Sequence, residues 1–208
     1  IRILERAIEL KNEAAKGIIN TSLKNKTMAM IFKKNSTRTR VAFETAMAGM
    51  GGHAIFLSSD STQISRGENL SDTAKVLSGM VDIIMMRTHK HEEIEELAAN
   101  STVPVINGLT EKFHPCQLLA DMQTFYESKG PIQGKKIAWV GDGCNMCNSY
   151  INASKILDFH LKISTPSGFE PDKKTLNLAK DNTEICDLPG TAVEDCDLVT
   201  TDVWASMG

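Results

Sequence analysis

The sequence predicts an α/β protein of two doubly wound domains, each a parallel sheet with helices on both faces. Two observations carry this. Apolar runs of strand length alternate with helical patterns along nearly the whole chain, and such alternation places parallel strands in one sheet with crossover helices on its faces. The alternation breaks once, at "KGPIQGKK" (129–136), where Gly, Pro and Gly cluster as at an interdomain boundary. The domains are therefore expected at 1–130 and 131–208, the second incomplete at its C-terminal side.

A helix is predicted over 2–16, where Ile3, Leu4, Ala7, Ile8, Ala14 and Ala15 recur before Gly17. "TMAMIF" (27–32) reads as a buried strand, and Val41, Phe43, Ala46, Met47 and Met50 mark a helix over 37–50 that stops at Gly51-Gly52. "HAIFL" (53–57) is a strand, 58–69 a polar loop rich in Ser, Asp and Gly, 70–80 a helix and "VDIIMM" (81–86) a strand. A helix at 91–100, a strand at 103–106 and a longer helix at 115–128 complete the first half. After the break come a strand "KIAWV" (136–140), a helix at 146–157, a strand "HLKIST" (160–165) and a helix at 172–181. A weak strand at 184–186 and a firm one, "DLVTTDV" (197–203), follow. No sequence repeat or low-complexity tract is visible.

The 208 residues carry a formal net charge of −3 and 41% apolar residues, enough chain for a sizeable core. A mildly acidic chain lacks the basic face of a nucleic-acid binder, so no nucleic-acid partner is expected. No apolar run reaches the roughly 18 residues of a membrane span, and no signal peptide is visible. The cysteines are Cys116, Cys144, Cys147, Cys186 and Cys196, an odd number that points to reduced thiols. Cys144-Asn-Met-Cys147 is formally a C-x-x-C, but it lacks the second pair of a zinc site and reads as incidental thiols. Ile1 lies inside a helical pattern and Gly208 just after a strand, so the chain is expected to be part of a longer protein.

In parallel sheets, ligands bind beyond the carboxyl ends of the strands, and polar groups gather there. Asn35-Ser36-Thr37-Arg38-Thr39-Arg40 follows the strand 27–32 and opens the next helix. A helix N-terminus is an anion site by virtue of its unpaired N–H groups and dipole. The hydroxyls add donors and Arg38 a planar fork suited to phosphate; a plain Ser/Thr cap beside a surface Arg is the simpler alternative. Arg87 directly follows the strand 81–86, either solvated or facing a ligand crevice. His114 and Gln117 flank Pro115, which fits the first position of a helix. Gly141 and Gly143 lack the third glycine of a dinucleotide fingerprint, which argues against a dehydrogenase.

Three motifs, "STRTR" (36–40), "HPCQLLAD" (114–121) and "TDVWASMG" (201–208), occur in the order and rough spacing of one family. Through nearly its whole length the chain resembles the aspartate/ornithine carbamoyltransferases. The resemblance implies that Ser36, Thr37, Arg38 and Thr39 hold the phosphate of carbamoyl phosphate, and that Arg87, His114 and Gln117 surround its carbamoyl group, with Arg38, Arg87, His114 and Gln117 catalytic. Gln63 resembles a residue that reaches the phosphate of a neighbouring subunit's site, which implies a homotrimer with shared sites. Asn145, Asp202, Ser206 and Met207 resemble the ornithine-binding set, and the S-M-G segment resembles the ornithine branch rather than the aspartate one. Cys144 stands where many relatives carry a second Asn. The family's H-C-L-P motif and a late Arg would lie beyond Gly208. The implied reaction is direct carbamoyl transfer to the δ-amine of L-ornithine, giving L-citrulline and phosphate, as in arginine biosynthesis. It needs no metal and no organic cofactor. The implied location is the cytoplasm, or the mitochondrial matrix in a eukaryote. Another acceptor (aspartate, putrescine or acylated ornithine) and a non-catalytic regulatory relative are the alternatives; the intact Arg38, Arg87, His114 and Asp202 argue against the latter.

Overall fold

The computed structural model describes residues 2–58 and 67–203; Gln63, Ser206 and Met207 lie outside the described residues. In chain order the elements are α1 (Arg2–Ala15), β1 (Thr27–Phe32), α2 (Thr37–Gly49), β2 (His53–Ser58), α3 (Leu70–Ser78), β3 (Ile83–Arg87), α4 (His91–Asn100), β4 (Val105–Leu109), α5 (Pro115–Lys129), β5 (Lys136–Val140), α6 (Asn145–Leu157), β6 (His160–Ser164), α7 (Lys173–Leu178), β7 (Thr183–Ile185), α8 (Pro189–Val193) and β8 (Leu198–Thr200). They form two four-stranded sheets, ordered β2-β1-β3-β4 and β7-β6-β5-β8. Every strand pairing is parallel. The predicted fold class is therefore the observed one.

The chain forms two compact units, Arg2–Glu111 and Lys112 onward. In the first, β1 is central and its side chains alternate between two cores, as the two-residue period of a strand requires. Ala29 and Ile31 join Ile84, Met86 and residues of α3 and α4 on one face. Met28, Met30 and Phe32 join Met85 and Met47 of α2 on the other. A strand buried on both faces explains the unbroken apolar run at 27–32. In the second unit β5 has the same role: Ile137, Ala138 and Trp139 are all buried.

Each sheet has a switch point. From β1 the chain goes to β2 on one side and later to β3 on the other; from β5 it goes to β6 on one side and later to β8 on the other. Connections that leave in opposite directions open a crevice at the strands' carboxyl ends. The crevices fall beside Phe32 and Arg87 in the first unit, and beside Val140 and Thr200 in the second.

Several boundaries differ from the sequence expectation. β3 begins at Ile83 rather than Val81, because Val81 N–H still bonds Leu77 O and Asp82 is engaged with Thr27. It runs through Arg87, so that residue ends the strand instead of following it. β4 is displaced to Val105–Leu109: Ser101 Oγ binds both the N–H and the carbonyl of Val103, which holds 101–103 in a turn. α7 is shorter than the predicted 172–181, with Asp172 as its N-cap. α8 was not expected, since five residues are too few to show a period. β8 keeps only three residues of the predicted 197–203.

Candidate active site

At the first crevice, Ser36 caps α2. Its Oγ accepts the Thr39 N–H at 3.3 Å and donates to Thr39 Oγ1 at 3.0 Å. Arg87 Nη1 also donates to Thr39 Oγ1, at 3.3 Å. Both partners donate into that oxygen, so the Thr39 O–H proton is left to point elsewhere, toward an acceptor. Thr37 and Arg38 are exposed on the first turn.

Arg87 is 5% exposed, and its Nε has no hydrogen-bond partner. Burial, and then the positive charge of Arg38, push its guanidinium below the ordinary arginine value. Among the described residues no carboxylate pairs with either Arg38 or Arg87. Two guanidinium groups near a helix N-terminus, one of them buried, are arranged to receive an anion. Arg40 is otherwise employed: it bonds Glu44 at 2.9 Å and stacks 3.7 Å from the Phe56 ring centroid.

Sequence reasoning missed what braces this crevice. Lys33, just past β1, bonds Glu93 at 2.7 Å, and the other Glu93 oxygen accepts from the Thr88 hydroxyl. Lys33 N–H also bonds Arg87 O at 2.8 Å. A pair sixty residues apart has no local signature; only the position of each residue at a strand or helix end hints at it.

At the second crevice lies a cleft of about 540 Å³, a small-molecule size. His114, Gln117, Asp121, Met146, Tyr150 and Asp202 are among its lining residues. His114 is the N-cap of α5, with Pro115 at the start as predicted. Its N–H donates to Ser149 Oγ at 2.8 Å, and Ser149 Oγ donates to Asn145 O at 2.7 Å. The heads of α5 and α6 are thus tied together. Gln117 Nε2 donates to Asp121 Oδ1 at 2.9 Å. Asp202, half-buried beyond β8, accepts the Val203 N–H at 2.8 Å. Asn145 is the first residue of α6 but does not line this cleft.

Gly141 and Gly143 have structural reasons to be there. Gly141 has φ +141°, and an added Cβ would lie 2.9 Å from Thr201 Oγ1. A Cβ on Gly143 would lie 2.3 Å from Pro171 N, so only glycine lets the two loops approach. Cys144 caps α6 and Cys147 is fully buried; burial pushes both thiols up, Cys147 strongly. Neither is an activated nucleophile. Among the described residues no group of three or more His, Cys, Asp or Glu is placed to hold a metal, and no helix is long and apolar enough to cross a membrane.

Two family models match the chain. The aspartate/ornithine carbamoyltransferase carbamoyl-P binding domain matches residues 1–127, and the corresponding Asp/Orn binding domain matches residues 133–208. A curated ornithine carbamoyltransferase from Hydrogenovibrio crunogenus is 55% identical over 207 residues, covering 100% of this chain and 68% of the relative. Another, from Chromohalobacter salexigens, is 55% identical over 207 residues, covering 99% of this chain and 68% of the relative. The solved ornithine carbamoyltransferase of Pyrococcus furiosus superposes with a TM-score of 0.94 at 48% identity, covering 99% of this chain and 68% of that one.

Proposed function

The chain belongs to the aspartate/ornithine carbamoyltransferase family, and from that premise we propose that it transfers the carbamoyl group of carbamoyl phosphate to the δ-amine of L-ornithine. The products are L-citrulline and phosphate, the citrulline serving arginine biosynthesis. The neutral amine attacks the carbonyl carbon, a tetrahedral oxyanion forms, and it collapses with cleavage of the C–O bond to phosphate, which departs carrying the proton lost from the attacking nitrogen. The observation that best supports this reading is Arg87, a buried cation beside a second cation, with an unpartnered Nε, at a sheet switch point.

Ser36, Thr37, Arg38 and Thr39 are assigned the phosphate, where a charged fork and a helix N-terminus stabilise the leaving group. Arg87, His114 and Gln117 are assigned the carbamoyl group, with Arg87, His114 and the Thr39 hydroxyl polarising its oxygen. Asn145, Asp202, Ser206 and Met207 are assigned ornithine; Asp202 pairs with the α-ammonium. The functional boundary is placed at residue 130. The reaction as drawn calls for no metal and no organic cofactor. The protein is proposed to act in the cytoplasm as a homotrimer whose Gln63 serves the neighbouring subunit's site. Mixing inactive Gln63 and Arg38 variants should then restore some activity in hybrid trimers; exchange of subunits without any recovery would refute sharing.

The decisive experiment is citrulline formation by the full-length protein, with aspartate, putrescine and acetylated ornithine as competing acceptors. Ornithine is expected to be used at least about 10³-fold better, because a polar site rejects analogues that leave its groups unpaired. Asp202→Asn should raise the ornithine KM sharply while calorimetry finds carbamoyl phosphate binding unchanged. Wild-type preference for another acceptor would refute the ornithine reading.

A further inference from the structure

Along α5, His114, Gln117, Asp121, Thr124 and Ser128 recur at alternating steps of three and four, and this one helical face lines the cleft. Gln117 is exposed, and an exposed glutamine ordinarily turns its amide freely. Here Nε2 donates to Asp121 Oδ1 at 2.9 Å. A carboxylate only accepts, so the NH2 end must face Asp121 and the carbonyl oxygen is the end left over.

A Gln–Asp pair four residues apart is common on helices and weak by itself. This one is held from a second helix. The other oxygen, Asp121 Oδ2, accepts from Tyr150 OH at 3.1 Å. Tyr150 is 1% exposed, and its ring packs on Trp139 with centroids 5.7 Å apart. Burial pushes its phenol well above the ordinary value, so it stays a neutral donor. The same hydroxyl neighbours Thr200, the last residue of β8, two residues before Asp202.

We infer that Asp121 and Tyr150 are positioning residues that lock the Gln117 amide with its carbonyl oxygen toward the cleft, where it accepts an N–H of the carbamoyl group. The inference rests on the carbamoyl-transfer reading above. Tyr150 is a fixed post, Asp121 takes its orientation from that post, and Gln117 takes its orientation from Asp121. As the carbonyl carbon becomes tetrahedral, the carbamoyl nitrogen moves, and an acceptor already aimed at it needs no reorientation at that moment.

The test is steady-state citrulline formation by the full-length enzyme. Tyr150→Phe removes one oxygen and keeps the ring packing. It should lower kcat about 10- to 100-fold, the scale of loss that small misplacements bring, with carbamoyl phosphate KM nearly unchanged. Asp121→Asn, which lets the Gln117 amide turn over, should lose at least as much. The double variant should be no worse than Asp121→Asn, because both break one chain. Wild-type kcat in Tyr150→Phe, additive losses in the double variant, or a loss fully accounted for by a smaller folded fraction would each overturn the inference while the wild type remains active. A wild type that forms no citrulline overturns the carbamoyl-transfer reading and this inference together.

Discussion

Arg87 donates to Thr39 Oγ1 at 3.3 Å, so the last residue of β3 holds the first turn of α2 across the switch point of the first sheet. Thr39 takes a second hydrogen bond from Ser36, so its hydroxyl links the cap of α2 to β3, while Arg38 on the same turn stays exposed. Removing one well-placed donor to developing charge typically costs 10²–10³-fold, so Arg38→Ala should lower kcat/KM by about that factor or more. Arg38→Lys should recover little, since an ammonium cannot present a planar fork. Calorimetry with carbamoyl phosphate provides the check, and unchanged affinity in the Ala variant would remove Arg38 from the site.

Gly143 gives a sharper test of the second crevice. Its N–H bonds Phe169 O at 2.8 Å, and an added Cβ would lie 2.3 Å from Pro171 N and 2.5 Å from Glu170 C. Those atoms are backbone and cannot swing aside. Gly143→Ala should therefore destabilise by about 1–3 kcal/mol, the range for overpacking, and displace the turn into Asn145. Ornithine KM should rise while carbamoyl phosphate affinity holds. A variant with wild-type Tm and ornithine KM would show that the loop yields.

Lys33 and Glu93 supply one source of pH dependence. Burial alone would raise the Glu93 carboxyl, but the hydrogen bonds from Lys33 and Thr88 outweigh it and hold the group below its ordinary 4.5. A depressed carboxylate stabilises the fold above its unfolded value, and that stability is lost as pH falls through the folded value. Glu93→Gln should cost about 1–2 kcal/mol at neutral pH, allowing for a partly exposed pair. The gap from wild type should close as pH drops below 4.5. Thermal melts across that range are the measurement; a constant gap would mean the charge contributes nothing.

How much of this was legible in the sequence depended on locality. β1 and β5 were read correctly because strands buried on both faces leave unbroken apolar runs. The α5 start was read from Pro115, and the α2 start from its Ser-Thr cluster, since caps are written in neighbouring residues. The sequence pattern puts Arg87 just beyond β3, because periodicity does not show that a buried arginine can end a strand. Glu93, Asp121 and Tyr150 are not legible locally, for another reason. The Lys33–Glu93 and Asp121–Tyr150 contacts join distant residues, and only the sheet order brings them together. Asp121 lay within the recognised "HPCQLLAD" stretch, where its spacing of four from Gln117 was the available signal.

Two aspartates hold equivalent positions in the two units, without any sequence repeat to announce it. Asp82 precedes β3: its N–H bonds Thr27 O at 2.9 Å, its Oδ2 accepts the Thr27 N–H at 2.8 Å, and Lys26 bonds its Oδ1 at 2.7 Å. Asp197 precedes β8: its N–H bonds Lys136 O at 2.7 Å, its Oδ2 accepts the Lys136 N–H at 3.0 Å, and Lys135 bonds its Oδ1 at 3.3 Å. Each clamp ties the first residue of a central strand to the neighbour across the switch point, and so fixes the register on which the crevice depends. Both carboxyls are held below their ordinary value, Asp82 chiefly by Lys26 and Asp197 chiefly by the Lys136 N–H. Their contribution therefore fades only as pH falls below 3.8. Asp82→Ala should speed hydrogen exchange at the Thr27 amide and leave the Lys136 amide protected, and Asp197→Ala should do the reverse. Asn at either position should be milder than Ala, because its side-chain oxygen still accepts the N–H. Equal loosening of both amides in either variant would show global unfolding in place of two separate clamps.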